Sequence, residues 1–165
     1  MLKRGMAEEL DYESKCFDFI SNNYAFHHFQ GKEKALDEIS RVIKQKGIFK
    51  MHNIAIHDMP KWWIYQLFPN AYYEDLKRFW QKEVIFNELS QRGFDVRVHI
   101  EYKMECLKLS SLMDHIYNRD ISVLTIISNE EYSKGLEMAE YRLRKDLEAE
   151  IVNDFAEMFI VATMK

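Results

Sequence analysis

The sequence predicts an α/β fold, and three observations carry that prediction. Residues 16–21 (CFDFIS) form a short apolar, β-prone run with one acid inside it, residues 31–45 hold apolar side chains at helical spacing, and residues 47–54 (GIFKMHNI) form a second run of alternating and buried character. Strand, helix and strand at this spacing make the unit that builds a parallel sheet by a right-handed crossover. The first run reads as a mostly buried strand ending at the polar pair Asn22 and Asn23. In the helix, Ala35, Leu36, Ile39, Val42 and Ile43 make the apolar face, Lys32, Lys34, Asp37, Glu38, Arg41 and Lys44 take the other, and Gly47 stands as the C-cap.

The remaining elements follow from the same periodicities. Residues 57–68 gather Met59, Trp62, Trp63, Tyr65, Leu67 and Phe68 into a short aromatic helix or lid that Pro69 interrupts. Residues 73–92 predict one longer helix on Leu76, Phe79, Trp80, Val84, Ile85 and Leu89, ended by Arg92 and Gly93. FDVRVHIEY, residues 94–102, alternates strictly, as an antiparallel or edge strand does. Residues 107–118 and 130–150 read as two further helices, the second capped by Asn129 and presenting 145–150 as a solvated face. FAEMFIVAT, residues 155–163, closes the chain as an apolar strand.

Composition narrows the function classes. A chain of 165 residues with 47% hydrophobic and 30% charged content is an ordinary globular domain. Its net charge of -4 gives no basic footprint for DNA or RNA, so nucleic acid is not an expected partner. Cys16 and Cys106 stand apart without a second Cys or His at finger spacing, which suggests neither a disulfide framework nor a zinc site and fits a reducing, cytoplasmic setting. Lys3 and Arg4 are followed by no apolar stretch, so no secretory signal is expected. The apolar runs at 62–68 and 158–164 are far shorter than the roughly 20 residues that cross a bilayer, and no membrane association is expected.

Residues 5–29, GMAEELDYESKCFDFISNNYAFHHF, are similar to the stretch of class I S-adenosylmethionine-dependent methyltransferases (type 11/25-like domains) that runs from the loop after the third sheet strand through the fourth. Ala7, Glu8 and Leu10 match an A-E-x-L turn, Phe17, Asp18 and Ile20 match F-D-x-[IV], and His27 and His28 match the histidine pair that follows. EKALDEISRVIKQKGIF resembles the next helix and the fifth strand, with Val42, Ile43, Lys44, Gln45, Lys46 and Gly47 in place of the family's L-K-x-G-G turn. GFDVRVHIEYK looks like the sixth strand and EMFIVATMK like the seventh. The resemblance implies a partial Rossmann-like sheet of strands four to seven flanked by helices, the last strand antiparallel between the fifth and sixth. Residues 1–165 would then be a single, truncated methyltransferase domain with a helical insert at about 107–150, where acceptor pockets are shaped.

The activity implied by the resemblance is methyl transfer from S-adenosylmethionine to a small-molecule acceptor that the sequence does not identify. No G-x-G-x-G occurs in the sequence, no acidic strand end precedes Gly5, and Met6 stands where many relatives carry an Asp toward the adenine amino group. A fragment inactive on its own is therefore one expectation, and a non-catalytic interaction or assembly module derived from a methyltransferase is the alternative. An unpaired apolar edge at 16–22 would favour a homodimer or pairing with a separately encoded amino-terminal half. A nicotinamide-dependent reductase would share the strand and helix rhythm, but the antiparallel-looking last strands argue against it.

Candidate site residues follow from the resemblance. Ala7 and Glu8, with Asn22, Asn23 and Tyr24 at the end of the first strand, are expected at the cofactor, where amides, carbonyls and an aromatic face can accommodate a sulfonium. Asn22 and Asn23 are also natural turn formers. His27 or His28 is a candidate catalytic proton acceptor; being adjacent, the two point in different directions and do not suggest a shared metal. Met51, Asn53, Trp62, Trp63 and Tyr65 follow the fifth strand and are candidates to face the acceptor, with core packing as the rival reading.

Overall fold

A computed structural model describes residues 4–165; Lys3 lies outside the described residues. In chain order the elements are β1 (Phe17–Asn23), α1 (Lys32–Val42), β2 (Ile43–Ile54), α2 (Trp63–Leu67), α3 (Pro69–Arg78), α4 (Lys82–Gln91), β3 (Phe94–Lys108), α5 (Leu109–Tyr117), α6 (Asn129–Lys145) and β4 (Glu150–Met164). Single 3-10 turns occupy Phe26–His28, Ile56–Asp58 and Ser122–Thr125. The sheet order is β1-β2-β4-β3. Strand β1 pairs parallel to β2, with Ile20 opposite Phe49 and Asn22 opposite Met51, and β4 pairs antiparallel to β2, with Ile160 opposite Met51. Bonds from Lys165 N to the Gly93 carbonyl (3.1 Å) and from Leu109 N to the Ala149 carbonyl (2.8 Å) bracket β3 and β4 as an antiparallel pair. The crossover and the antiparallel last strand are those the sequence implied.

The chain packs as two compact units. The first holds residues 4–55, Phe79–Glu101 and Glu157–Lys165. Side chains alternate across its sheet, so Phe49, Met51, Ile160 and Ala162 share one face and are buried, while α1 contributes Ala35, Leu36 and Ile39 and α4 contributes Ile85 and Leu89 to the same core. The opposite face is open: Phe19 is 52% exposed and Val161 37%. Strand β1 is thus not the mostly buried strand that its composition suggested. It is a sheet edge, with Asp18, Phe19, Ser21 and Asn23 exposed.

Gly47 is not a helix cap. Helix α1 stops at Val42 because Ile43 is already extended (φ -79°, ψ 142°) and pairs with Phe17. Two residues further along β1, Phe19 faces Ile48, so β2 bulges between these partners, with Lys46 at φ 61°. A Cβ on Gly47 would lie 2.7 Å from Ile43 Cγ1 and 2.8 Å from the Lys44 carbonyl, and this close approach is what demands glycine.

The segment before β1 is tied to α1. Leu10 N donates to Glu38 Oε2 (2.7 Å), and Arg41 donates to the Leu10 and Tyr12 carbonyls (both 2.8 Å) while bridging Glu38 (2.8 Å). The Arg41 guanidinium first, and then the Leu10 amide, hold the Glu38 carboxyl down at about 2. A depressed carboxylate stabilises the fold above its unfolded value near 4.5 and loses that contribution as pH falls toward about 2. Thermal melts across this window should therefore show a shallower acid decline for Glu38→Gln than for the parent chain, and identical slopes would refute the latch.

The second unit holds Ile56–Arg78 and Tyr102–Ala156. Helix α2 stops at Leu67, ahead of Pro69, as expected, and Pro69 itself occupies the first position of α3, where its missing N–H costs nothing. The single helix expected over 73–92 breaks, with Gln81 extended (φ -62°, ψ 149°) before α4. Its two halves bury their faces in different units, Ala71 and Asp75 in the second and Ile85 and Leu89 in the first. Helix α6 is capped one residue earlier than expected. Ser128 Oγ accepts from Glu131 N (3.2 Å) and Glu131 Oε2 accepts from Ser128 N (3.0 Å), a capping box with Asn129 already inside the helix. The helix ends at Lys145 and β4 begins at Glu150, so 145–150 is largely a turn rather than a helical face. Trp62 meets Tyr65 edge-on (5.4 Å, 87°) and lies 5.7 Å from Phe155 in this unit's core. Among the described residues, no helix is long and apolar enough to cross a membrane.

Candidate functional site

In a parallel sheet, ligands bind at the carboxyl ends of the strands, and those of β1 and β2 converge on three polar side chains. Asn22 and Asn23 close β1, as the sequence implied, opposite Met51 and His52. Tyr24 follows in the left-handed region (φ 47°), unusual for a residue with a side chain, and its N–H donates to the His52 carbonyl (2.9 Å). Its hydroxyl donates to Glu157 and lies 3.0 Å from His52 Nε2, while His52 Nε2 is 2.8 Å from Glu157 Oε1. The His52 ring stacks on Phe159 (4.2 Å, 15°). Burial first, and then the bond to Glu157, push the Tyr24 phenol well above its ordinary range, so it remains a neutral donor.

Asn23, His52 and Phe159 line a groove of about 450 Å³ on the open sheet face together with Phe19, Lys50 and Val161. Lys50 Nζ lies 6.0 Å from the centre of the Phe19 ring. Asn22 Oδ1 is buried and makes no hydrogen bond.

The other sequence candidates fall elsewhere. Ala7 is half-buried in the segment before β1, and Glu8 Oε1 accepts from Gly31 N (3.0 Å) just ahead of α1. That amide draws the Glu8 carboxyl below its usual range. His27 is buried and stacked on Phe79 (4.2 Å, 12°), and His28 is exposed. Their rings lie 3.9 Å apart, so the 3-10 turn sets them side by side rather than in different directions. Met51 and Asn53 do not follow the strand; they lie inside β2 and are buried, and Asn53 Oδ1 accepts from Ile54 N (2.9 Å). Trp62, Trp63 and Tyr65 are buried in the second unit, so these five residues do not line one site within a unit. No group of three or more His, Cys, Asp or Glu among the described residues could hold a metal.

Sequence reasoning missed His52 and Glu157. Alternation in β2 puts His52 on the face of Lys50, but Glu157 reaches it only through strand pairing across 105 positions. That long-range pairing is not visible in local periodicity.

The family described as "Methyltransferase domain" matches residues 2–51, the stretch that includes β1, α1 and most of β2. Over 47 residues, 28% of this chain, the sequence is 45% identical to the uncharacterized methyltransferase YcgJ of Bacillus subtilis (strain 168), and the match spans only 19% of that relative. The solved YcgJ structure superposes on 99% of this chain and 70% of its own, with a TM-score of 0.61 at 17% identity. The fold is that of a class I methyltransferase. A candidate methyltransferase from an antibiotic biosynthesis pathway of Anabaena variabilis shares the methyltransferase fold with a TM-score of 0.66 and 22% identity, over 94% of this chain and 70% of its own. The [4+2]-cyclase SpnF shares it too (TM-score 0.54, 15% identity, 98% of this chain and 54% of its own). A cyclase on the same scaffold shows that the fold alone does not name the reaction.

Proposed function

We propose that the chain serves methyl transfer from S-adenosylmethionine to a small-molecule acceptor in the cytoplasm. The observation that carries this reading is the coincidence of the methyltransferase sequence match, residues 2–51, with the strand tips where Asn22, Asn23 and Tyr24 gather. Two structural facts bear on the fit of the cofactor. The buried, unpaired Asn22 Oδ1 is an acceptor suited to an N–H donor, and S-adenosylmethionine carries such groups. None of the five glycines of the sequence forms a Gly-rich turn, so these residues can hold one side of the cofactor and not its methionine cradle. When bound, the cofactor supplies an electrophilic methyl on sulfur. The chain supplies alignment and exclusion of water, with Asn22, Asn23 and Tyr24 as the holding residues.

The open edge of β1 and the exposed face around Phe19 and Val161 favour a second component in the working protein, either another copy or a separately encoded strand-bearing half. The same edge is the feature that favours the alternative, a non-catalytic assembly module. Calorimetric titration of the full chain with S-adenosylhomocysteine separates the two. Saturable heat, weakened about tenfold in Asn22→Ala through loss of a buried hydrogen bond, supports the methyltransferase reading; a titration without heat refutes binding by this chain and favours the module.

A further inference from the structure

We infer, independently of the methyl-transfer reading, that the outer edge of β3 joins two copies of this chain, each β3 antiparallel to the other with Tyr102 opposite the partner's Tyr102. The pairing of β3 with β4 fixes which groups point outward. That pairing keeps one register from end to end: Lys165 N donates to the Gly93 carbonyl, the His99 ring meets Phe159 (6.3 Å), Asn153 Nδ2 donates to Glu105 Oε1 (3.3 Å), and Leu109 N donates to the Ala149 carbonyl. In an antiparallel pair, alternate residues turn both N–H and C=O toward the same neighbour. Gly93 and Leu109 bond toward β4, so the odd-numbered residues between them do too, and Val96, Val98, Ile100, Tyr102, Met104 and Cys106 turn theirs away from it. Strand β3 is the last of the sheet, and these outward groups meet no further strand. The edge runs for 15 residues without a proline, and it carries Tyr102 at 59% and Met104 at 74% exposure. A long edge with exposed apolar side chains is a template for another strand.

Charge decides that a second copy fits. Two identical strands related by a two-fold axis set one residue opposite its own copy, and the outward groups bond only if that residue is one of the outward set. The odd-numbered side chains, Asp95, Arg97, His99, Glu101, Lys103 and Glu105, share one face and meet across the contact. Centred on Val98, Arg97 opposes the partner's His99 and Asp95 opposes the partner's Glu101. Centred on Ile100, Lys103 opposes the partner's Arg97 and Glu105 opposes the partner's Asp95. Centred on Tyr102, Glu101 opposes the partner's Lys103 and Glu105 opposes the partner's His99, and the two-fold axis repeats both contacts. Centred on Met104, only Lys103 and Glu105 match, and Glu101 faces the partner's Leu107. Opposite charges directly across a strand pair stabilise it and like charges destabilise it, which selects Tyr102. Lys103 already holds Glu105 of its own strand (2.8 Å) and at this centre stands between two carboxylates. On the other face the same centre stacks Tyr102 on the partner's Tyr102 and sets Ile100 against the partner's Met104, covering the exposed apolar side chains. Strand β1 lies at the opposite edge of the sheet and stays open for its own partner.

Sedimentation equilibrium of the full chain tests the interface. The parent should show a reversible monomer–dimer equilibrium. Glu101→Lys and Lys103→Glu should each weaken it about tenfold, because each turns two attractive cross-strand pairs repulsive. The double variant exchanges the two charges and should return the affinity to within about twofold of the parent. Both side chains are exposed, so the thermal melts of all four proteins should coincide. A parent that stays monomeric overturns the interface, a dimer indifferent to the single reversals places it on another face, and a dimer that the double variant fails to restore overturns the Tyr102 centre. The second measurement is covalent. Facing residues of such a pair lie about 5.5 Å apart between Cα atoms, within reach of a disulfide. Mild oxidation of Tyr102→Cys in a Cys106→Ser background should therefore give a dimer linked from residue 102 to residue 102, and Cys106→Ser alone should give none. Absence of that link overturns the pairing. Calorimetry with S-adenosylhomocysteine reads the methyl-transfer proposal separately, so the two fail independently.

Discussion

Gly135→Ala should destabilise the second unit by about 2 kcal/mol, although glycine-to-alanine inside a helix ordinarily gains about 1 kcal/mol. The reason is the approach of α6 to Phe68. A Cβ at position 135 would lie 2.3 Å from Cδ1 and Cε1 of the Phe68 ring and 2.7 Å from the Leu67 carbonyl oxygen. Phe68 is itself 2% exposed and stacks with Tyr132 (6.0 Å, 15°), so its ring has little room to withdraw, and the Leu67 carbonyl is backbone. The denaturant midpoint should fall with its slope unchanged. Gly5→Ala is the control, since nothing lies within 4 Å of the added methyl. A neutral or stabilising Gly135→Ala would contradict the packing of α6 on Phe68.

Asp75→Ala should cost more, about 3–5 kcal/mol, the range for breaking a buried ion pair by removing one partner. Asp75 is 2% exposed, accepts from Tyr65 OH (2.8 Å), and takes a second bond from Arg78, which also reaches Ser122 (3.4 Å). Deleting the carboxylate leaves the Arg78 guanidinium, on a side chain 18% exposed, and the Tyr65 hydroxyl, in a 5% exposed residue, without their shared acceptor. Burial outweighs the Arg78 and Tyr65 bonds and raises the Asp75 carboxyl above its usual value. A raised carboxyl binds its proton more tightly in the fold than in the unfolded chain, so its contribution is greatest below about 3.8, the ordinary carboxyl value, and declines as pH rises through the raised one. This is opposite in sign to Glu38. Asp75→Asn, which keeps the hydrogen-bonding shape without the charge, should lose less stability than Asp75→Ala and abolish that decline. Urea melts of the three proteins across the carboxyl range test both statements, and equal losses for Asn and Ala would show that the hydrogen bonds contribute nothing.

The part of the fold legible from the sequence is the part held by local rules. α1 was visible because Ala35, Leu36, Ile39 and Val42 repeat at helical period, and β4 because Phe159, Ile160 and Val161 form an uninterrupted apolar run. What stayed hidden depended on distant partners. Nothing in 73–92 signals a break until one knows that Asp75 and Leu89 are buried in different units, and β3 runs on to Lys108 through residues whose alternation fades at Tyr102–Met104. The site shows the same division. Asn22, Asn23 and Tyr24 were reached by resemblance, whereas His52 and Glu157 become neighbours only when β4 pairs with β2. Trp62 and Trp63 were candidates to face the acceptor with core packing as the rival, because aromatic residues serve pockets and cores alike, and they are buried to 6% and 4% exposure.

The division of the chain into two units carries a practical consequence for dissection. Reading from the amino end, the polypeptide passes from one unit to the other at Ala55, Arg78, Glu101 and Ala156, so neither unit is a continuous stretch. A single protease nick after Arg78 or Glu101 leaves each resulting fragment holding pieces of both bodies, and a nick after Ala55 or Ala156 frees only a part of the first. Expressing 56–156 alone would carry along residues 79–101, stripped of the strands they fold against. Isolating the helical body requires rejoining its two segments with a designed connector, not choosing better end points.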